Sequence, residues 1–146
     1  MGASVNSRAV LGSMPSSAGA CNAAVVRRTA VIVDDSQPYL TAATKRLEAD
    51  GLTVVGVART IEAGLRQVRE LRPDVVLVDV VLGDENGFDL ARRLAAQGSQ
   101  RPTLIMISTQ AEEDVAEELA GAPVAGFVAK TRLSAQAIER LLGATG

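Results

Sequence analysis

The sequence predicts a single α/β domain: an open, doubly wound, five-stranded parallel sheet with helices on both faces. Three observations predict it. Short runs rich in Val, Ile and Leu alternate with amphipathic stretches five times between Thr29 and Leu142. The runs are nearly continuously apolar, the pattern of strands covered on both faces rather than half-exposed ones. The length of 146 residues suits one domain better than two.

The elements follow in order. TAVIVDD is a β-branched run that ends in acids, the first strand. Pro38 to Ala49 reads as a helix with Leu40, Ala43 and Leu47 on one face, stopped by Asp50-Gly51. LTVVGVA is the second strand. Thr60 has the place of an N-cap for a helix carrying Ile61, Leu65 and Val68, and Arg72-Pro73-Asp74 breaks that helix. VVLVDV is the third strand, and Leu82 to Gly87 reads as a polar loop. A helix over Phe88 to Gln97 turns Phe88, Ala91, Leu94 and Ala95 inward and closes at Gly98. TLIMIS is the fourth strand. Glu112 to Ala120 is an acidic helix with Val115 and Leu119 as its stripe. Ala125 to Ala129 is the fifth strand, and Ser134 to Leu142 the last helix, with Ile138, Leu141 and Leu142 inward.

Composition excludes several chemistries. Hydrophobic residues make up 47% and aromatic residues 2%, so the core is aliphatic. Fifteen Lys and Arg are scattered among seventeen acids for a net charge of −2, with no basic stripe for nucleic acid. The absence of histidine removes imidazole bases, imidazole metal ligands and the Ser-His-Asp arrangement. The single Cys21 cannot form an internal disulfide and reads as incidental. No run approaches the roughly 18 to 20 apolar residues of a membrane span. Residues 1–28, rich in Ser, Ala and Gly, read as a flexible extension or expression remnant without a secretory core, leaving 29–144 as the domain. A cytoplasmic location is the expectation that follows.

An open doubly wound sheet carries its crevice at the carboxyl ends of the strands. The first strand ends in Asp34-Asp35, the third in Asp79 and the fourth in Ser108. Lys130 lies one residue past the fifth. A polar residue at a strand end is ordinarily the start of a solvated loop, so none of these carries weight alone. Together, three carboxylates at one edge raise each other's pKa unless a cation sits among them. A hard divalent ion with oxygen ligands, Mg²⁺ above all, is the matching partner. Lys130 adds a fixed positive charge and Ser108 a hydroxyl donor. A carboxylate nucleophile, a metal and donors for equatorial oxygens are what phosphoryl transfer requires.

On these residues the chain resembles the receiver domains of bacterial two-component response regulators, over Thr29 to Leu142. The acid pair of VDD, Asp79 44 residues after Asp35, Ser108 29 beyond Asp79, and Lys130 22 beyond Ser108 in GFVAK carry the resemblance. It implies a flavodoxin-like (βα)5 fold with strand order 2-1-3-4-5. It also implies that Asp79 accepts a phosphoryl group, and that Mg²⁺ is held by Asp34, Asp35, Asp79 and the backbone carbonyl of Val81. Asp35 would bind directly and Asp34 largely through water. Ser108 and Lys130 would hold the phosphate, and Phe127 would be the aromatic switch that turns inward with Ser108. Gly87 matches the glycine that ends the active-site loop.

The implied partners are a histidine kinase or phosphotransfer protein and an effector. Docking or homodimerisation would use the fourth helix, fifth strand and fifth helix, without direct nucleic-acid or membrane binding. Three positions depart from the family pattern. Gly83 stands where proline is common, and Thr131 rather than proline follows Lys130, so a cis bond there has no proline to lower its cost. Apolar Val81 offers no side chain to orient water, which implies a long-lived phosphoryl group.

Other readings stay open at this stage. An Mg²⁺-dependent phosphatase would want a general acid two residues after its nucleophile, where Val81 stands. A phosphorylation-independent interaction module would have no physical reason to keep three repelling carboxylates. Phe127 is also readable as core, Tyr39 and Phe88 as packing residues. The acids Glu112, Glu113, Asp114, Glu117 and Glu118 read most simply as a solvated face.

Overall fold

The structure, a computed structural model, describes residues 28–97 and 102–145. Five parallel strands form its sheet: β1 (Thr29–Val33), β2 (Thr53–Ala58), β3 (Val75–Asp79), β4 (Thr103–Ser108) and β5 (Gly126–Ala129), in spatial order β2-β1-β3-β4-β5. The helices are α1 (Gln37–Ala49), α2 (Ile61–Leu71), α3 (Gly87–Ala95), α4 (Ala116–Ala120) and α5 (Ala135–Thr145). This is the predicted fold and strand order.

Alternate residues of each strand feed two separate cores because side chains point to opposite faces with a period of two. Ala30, Ile32, Val75, Leu77, Ile105 and Ile107 pack with Leu40, Ala43 and Leu47 of α1 and Ile138 and Leu142 of α5. Val31, Val33, Val76, Val78, Leu104 and Met106 pack on the other face with Ile61, Leu65 and Val68 of α2 and Phe88, Leu90, Ala91 and Leu94 of α3. Burial of β3 is complete from Val75 to Val78. Each such aliphatic side chain removed from water contributes about 1.5–3 kcal/mol.

Local chemistry sets the helix ends. Ser36 Oγ accepts from the Tyr39 amide at 3.3 Å to start α1, whose Pro38 sits in the first turn where its missing N–H costs nothing. Thr60 Oγ1 accepts from the Ala63 amide at 3.1 Å, as its predicted capping role requires. Thr60→Ala is expected to lower stability by about 1 kcal/mol, read as a fall in the urea midpoint at constant slope. Arg72 closes α2 in the left-handed region at φ 47°, and Pro73 prevents its continuation.

Three details differ from expectation. The stretch read as a polar loop contains a two-residue antiparallel ladder, Val81–Leu82 against Glu85–Asn86, with Leu82 buried and Gly83 at φ +60° in its turn. Two residues show no periodicity, so the ladder was not legible. Helix α3 starts at Gly87 and ends at Ala95, with Leu90 buried as well; the predicted stop at Gly98 lies outside the described residues. The acidic helix opens as a 3-10 turn, Glu112–Val115, with no side-chain cap from Ala111, and only Ala116–Ala120 is α-helical. Of the proposed extension, all but Arg28 lies outside the described residues. All peptide bonds are trans among the described residues, Lys130–Thr131 included. No helix among them is long and apolar enough to cross a membrane.

Candidate functional site

The carboxyl ends of β1, β3, β4 and β5 meet on one edge because the strands are parallel and adjacent. Backbone bonds carry the alignment past the strand ends: Asp34 N–H donates to Ala58 O at 2.9 Å, and Val80 N–H to Ile107 O at 2.9 Å. Ser108 lies opposite Ala129, one residue before Lys130.

One carboxylate oxygen from each of Asp34, Asp35 and Asp79 lies within 4.8 Å of the others. Asp34 and Asp79 are buried, whereas Asp35 is exposed. The Lys130 ammonium bridges the buried pair, 2.5 Å from Asp34 Oδ2 and 2.8 Å from Asp79 Oδ2. The remaining oxygens of the pair accept backbone amides, Asp34 Oδ1 from Ser36 at 2.8 Å and Asp79 Oδ1 from Val81 at 3.2 Å. Apart from the lysine, Asp34 Oδ2 has no hydrogen-bond donor despite complete burial. Three carboxylates against one ammonium leave two negative charges in excess, which a hard divalent cation neutralises. The donor set therefore fits Mg²⁺. Gly83 passes beside Asp35, and even a side-chain carbon there would stand 3.7 Å from Asp35 Oδ2, so the loop leaves that carboxylate open.

Burial pushes the Asp79 carboxyl above its ordinary value. The Lys130 and Val81 hydrogen bonds oppose this without cancelling it, and the Asp34 charge adds to the rise. Burial by itself would pull the Lys130 ammonium down, yet its hydrogen bonds to Asp34 and Asp79 outweigh that and raise it. Lys130 thus stays charged while Asp79 bears the cost of an ionised group in a dry place.

Ser108 is buried, and its Oγ accepts from the Gln110 amide at 2.9 Å, so the hydroxyl holds the start of the β4–α4 loop. Phe127 is half-buried on β5, opposite Met106, and lines a groove of about 530 Å³ with Gln110, Ala111, Arg140 and Leu141. Val81 is exposed, its amide pinned by Asp79. All the residues singled out from the sequence therefore stand at or beside this edge, Phe127 farther out on the β5 face.

Sequence reasoning missed four residues. The Tyr39 ring lies under Lys130, with Nζ 4.4 Å from its centroid, and its hydroxyl donates to Lys130 O at 3.4 Å. Burial, with the Asp34 and Asp79 charges, pushes that hydroxyl up to about 12. Arg59 donates Nε and Nη2 to the Asp35 carbonyl at 3.2 and 3.0 Å. It directly follows β2, so it too stands at the carboxyl end of a strand. Glu85 Oε1 accepts the Ile61 amide at the start of α2 at 3.0 Å. Asn86 caps α3 through Oδ1, which accepts from Phe88 at 2.8 Å, and its Nδ2 donates to Glu118 of α4 at 3.3 Å. The loop after Asp79 is thereby tied to both α2 and α4.

Comparison with known proteins agrees with this fold. A family model described as response regulator receiver domain matches residues 30–142. Response regulator GacA of Pseudomonas viridiflava is 34% identical over 113 residues, covering 76% of this chain and 52% of that protein. A protein-glutamate methylesterase/protein-glutamine glutaminase of Symbiobacterium thermophilum is 39% identical over 85 residues, 57% of this chain and 23% of its own length. The chain thus spans about half, or less, of these curated relatives. Among solved structures, a LuxR-family two-component response regulator from Aurantimonas superposes with a TM-score of 0.72 at 24% identity, over 81% of this chain and 87% of that one. The signal receiver domain of a modulated diguanylate cyclase from Desulfovibrio desulfuricans gives 0.67 at 28% identity, over 81% and 92%.

Proposed function

We propose, because this chain belongs to the response regulator receiver domain family, that Asp79 accepts a phosphoryl group and so switches a two-component signalling pathway. One observation carries the reading: a lysine ammonium bridging two buried carboxylates at 2.5 and 2.8 Å beside a third, exposed one. Such a cluster is costly unless charge is to arrive or leave there.

Asp79 Oδ2 is the nucleophile, forming its bond to phosphorus as the donor histidine's nitrogen–phosphorus bond breaks. Asp34, Asp35, Asp79 and the Val81 carbonyl would hold Mg²⁺, which supplies charge neutralisation for the transferring group. Lys130 turns from the Asp79 carboxylate to a phosphoryl oxygen without leaving Asp34. The Ser108 hydroxyl gives up the Gln110 amide to donate to another, drawing the β4–α4 loop inward, and Phe127 turns into the space vacated. The effect reaches the surface of α4, β5 and α5, where Glu112, Arg132 and Arg140 line the Phe127 groove. Partner docking or homodimerisation belongs there, with a histidine kinase or phosphotransfer protein as donor, in the cytoplasm.

Incubation with acetyl phosphate and Mg²⁺ tests this by intact mass. One phosphate per chain is expected with the metal and none when EDTA removes it. A wild-type protein that gains nothing with Mg²⁺ present would instead be an interaction module on the same fold.

A further inference from the structure

We infer that Tyr39 is the positioning residue of the phosphate-binding lysine, its ring holding the Lys130 ammonium where it bridges Asp34 and Asp79. The inference rests on the reading of Lys130 given above and deepens it.

A lysine is a compact charge on a flexible stem, and by itself it does not define a direction. Here one neighbour touches both ends of that stem. The ring face of Tyr39 lies 4.4 Å below Nζ, within cation–π range. Its hydroxyl donates at 3.4 Å to the Lys130 carbonyl, on the main chain from which the stem leaves. Tyr39 is itself placed by Ser36, whose Oγ takes the Tyr39 amide, so the clamp is built on the first turn of α1, four residues after Asp35. Tyr39 also packs against the α1–α5 core. An aliphatic side chain would serve that packing equally well, but it would present no negative π face to an ammonium. The ring thus has a purpose that volume does not explain. When Asp79 gains a dianionic group, an ammonium confined above a ring has only to pivot, whereas an unconfined one could swing out to solvent.

The chain has two lysines and one tyrosine, which makes the test direct. Lys45, exposed on α1, is the internal reference for the ε-methylene NMR signal. Ring current from Tyr39 is expected to displace the Lys130 signal upfield of Lys45 in wild type and in Tyr39→Phe, but not in Tyr39→Leu. Tyr39→Met serves the same comparison if the leucine variant does not fold. With acetyl phosphate and Mg²⁺, Tyr39→Leu should gain phosphate about three- to tenfold more slowly, and Tyr39→Phe within about twofold of wild type. In a Lys130→Met background, Tyr39→Leu should slow nothing further, since the two act as a unit. An unmoved Lys130 signal in Tyr39→Leu, or equal slowing in both backgrounds, overturns the inference. A wild type that shows the displaced signal yet takes no phosphate overturns the switch reading alone, so the two failures separate.

Discussion

Asp79→Asn is expected to abolish phosphate gain from acetyl phosphate while making the protein more stable than wild type in the absence of Mg²⁺. The first half follows from the loss of the nucleophilic oxygen: Asp34 is fully buried under Lys130, and Asp35 lies outside the pair that the lysine bridges. The second half follows from burial. The Asp79 carboxyl titrates above its ordinary value in the fold. A group raised in this way contributes stability below the ordinary carboxylate range and loses it as pH rises through the folded value. Once pH exceeds that folded value, the ionised Asp79 works against the fold. A neutral amide of the same shape removes that cost, while Lys130 keeps Asp34 as a partner. It forfeits one charged hydrogen bond, so the net gain is on the order of 1 kcal/mol, about 3–5 °C in Tm for a domain this size. Thermal unfolding in EDTA reads it. A Tm below wild type would mean that the Asp79–Lys130 bond outweighs desolvation, and phosphate still appearing on the variant would move the acceptor elsewhere.

Gly87→Ala is expected to cost about 2–4 kcal/mol and to disable the site together with the fold. A Cβ at Gly87 would overlap the Asp79 carbonyl oxygen and stand 2.9 Å from its carbonyl carbon and 3.0 Å from Val78 Cγ1. These neighbours belong to the central strand, which cannot yield. The Gly87 amide also donates to Val80 O at 2.8 Å, so α3 begins in direct backbone contact with the strand that carries the acceptor. Relief would come only by moving the start of α3, and with it the Asn86 cap and the tie to Glu118. Gly121→Ala is the control: nothing lies within 4 Å of its Cβ position, so a change within about 0.5 kcal/mol is expected. Equal urea midpoints for the two variants would refute the steric account.

Most of the fold was legible because its signals are local. Leu40, Ala43 and Leu47 share a face by helical spacing alone, and all are buried. Thr60 declares itself as a cap by type and position. The short ladder at Val81–Leu82, the 3-10 opening at Glu112 and the contraction of α4 to five residues were not legible. Each spans too few residues to carry a periodic pattern of its own. Tyr39 and Phe88 looked alike in sequence, as aromatic residues in the first turn of a helix. Phe88 is indeed core, whereas Tyr39 faces the charged cluster.

By itself the sequence determined the alternating α/β fold, and it placed Asp34, Asp35, Asp79, Ser108 and Lys130 on one edge. Strand ends can be read from local hydrophobicity, and parallel strands carry all their carboxyl ends to the same side. Only the tertiary structure decided how those side chains meet. Lys130 reaches past Asp79 on β3 to Asp34 just beyond β1, Tyr39 closes on a carbonyl 91 residues away, and Arg59 on one 24 away. Such contacts depend on strand order and side-chain direction in three dimensions, for which no spacing along the chain is a proxy.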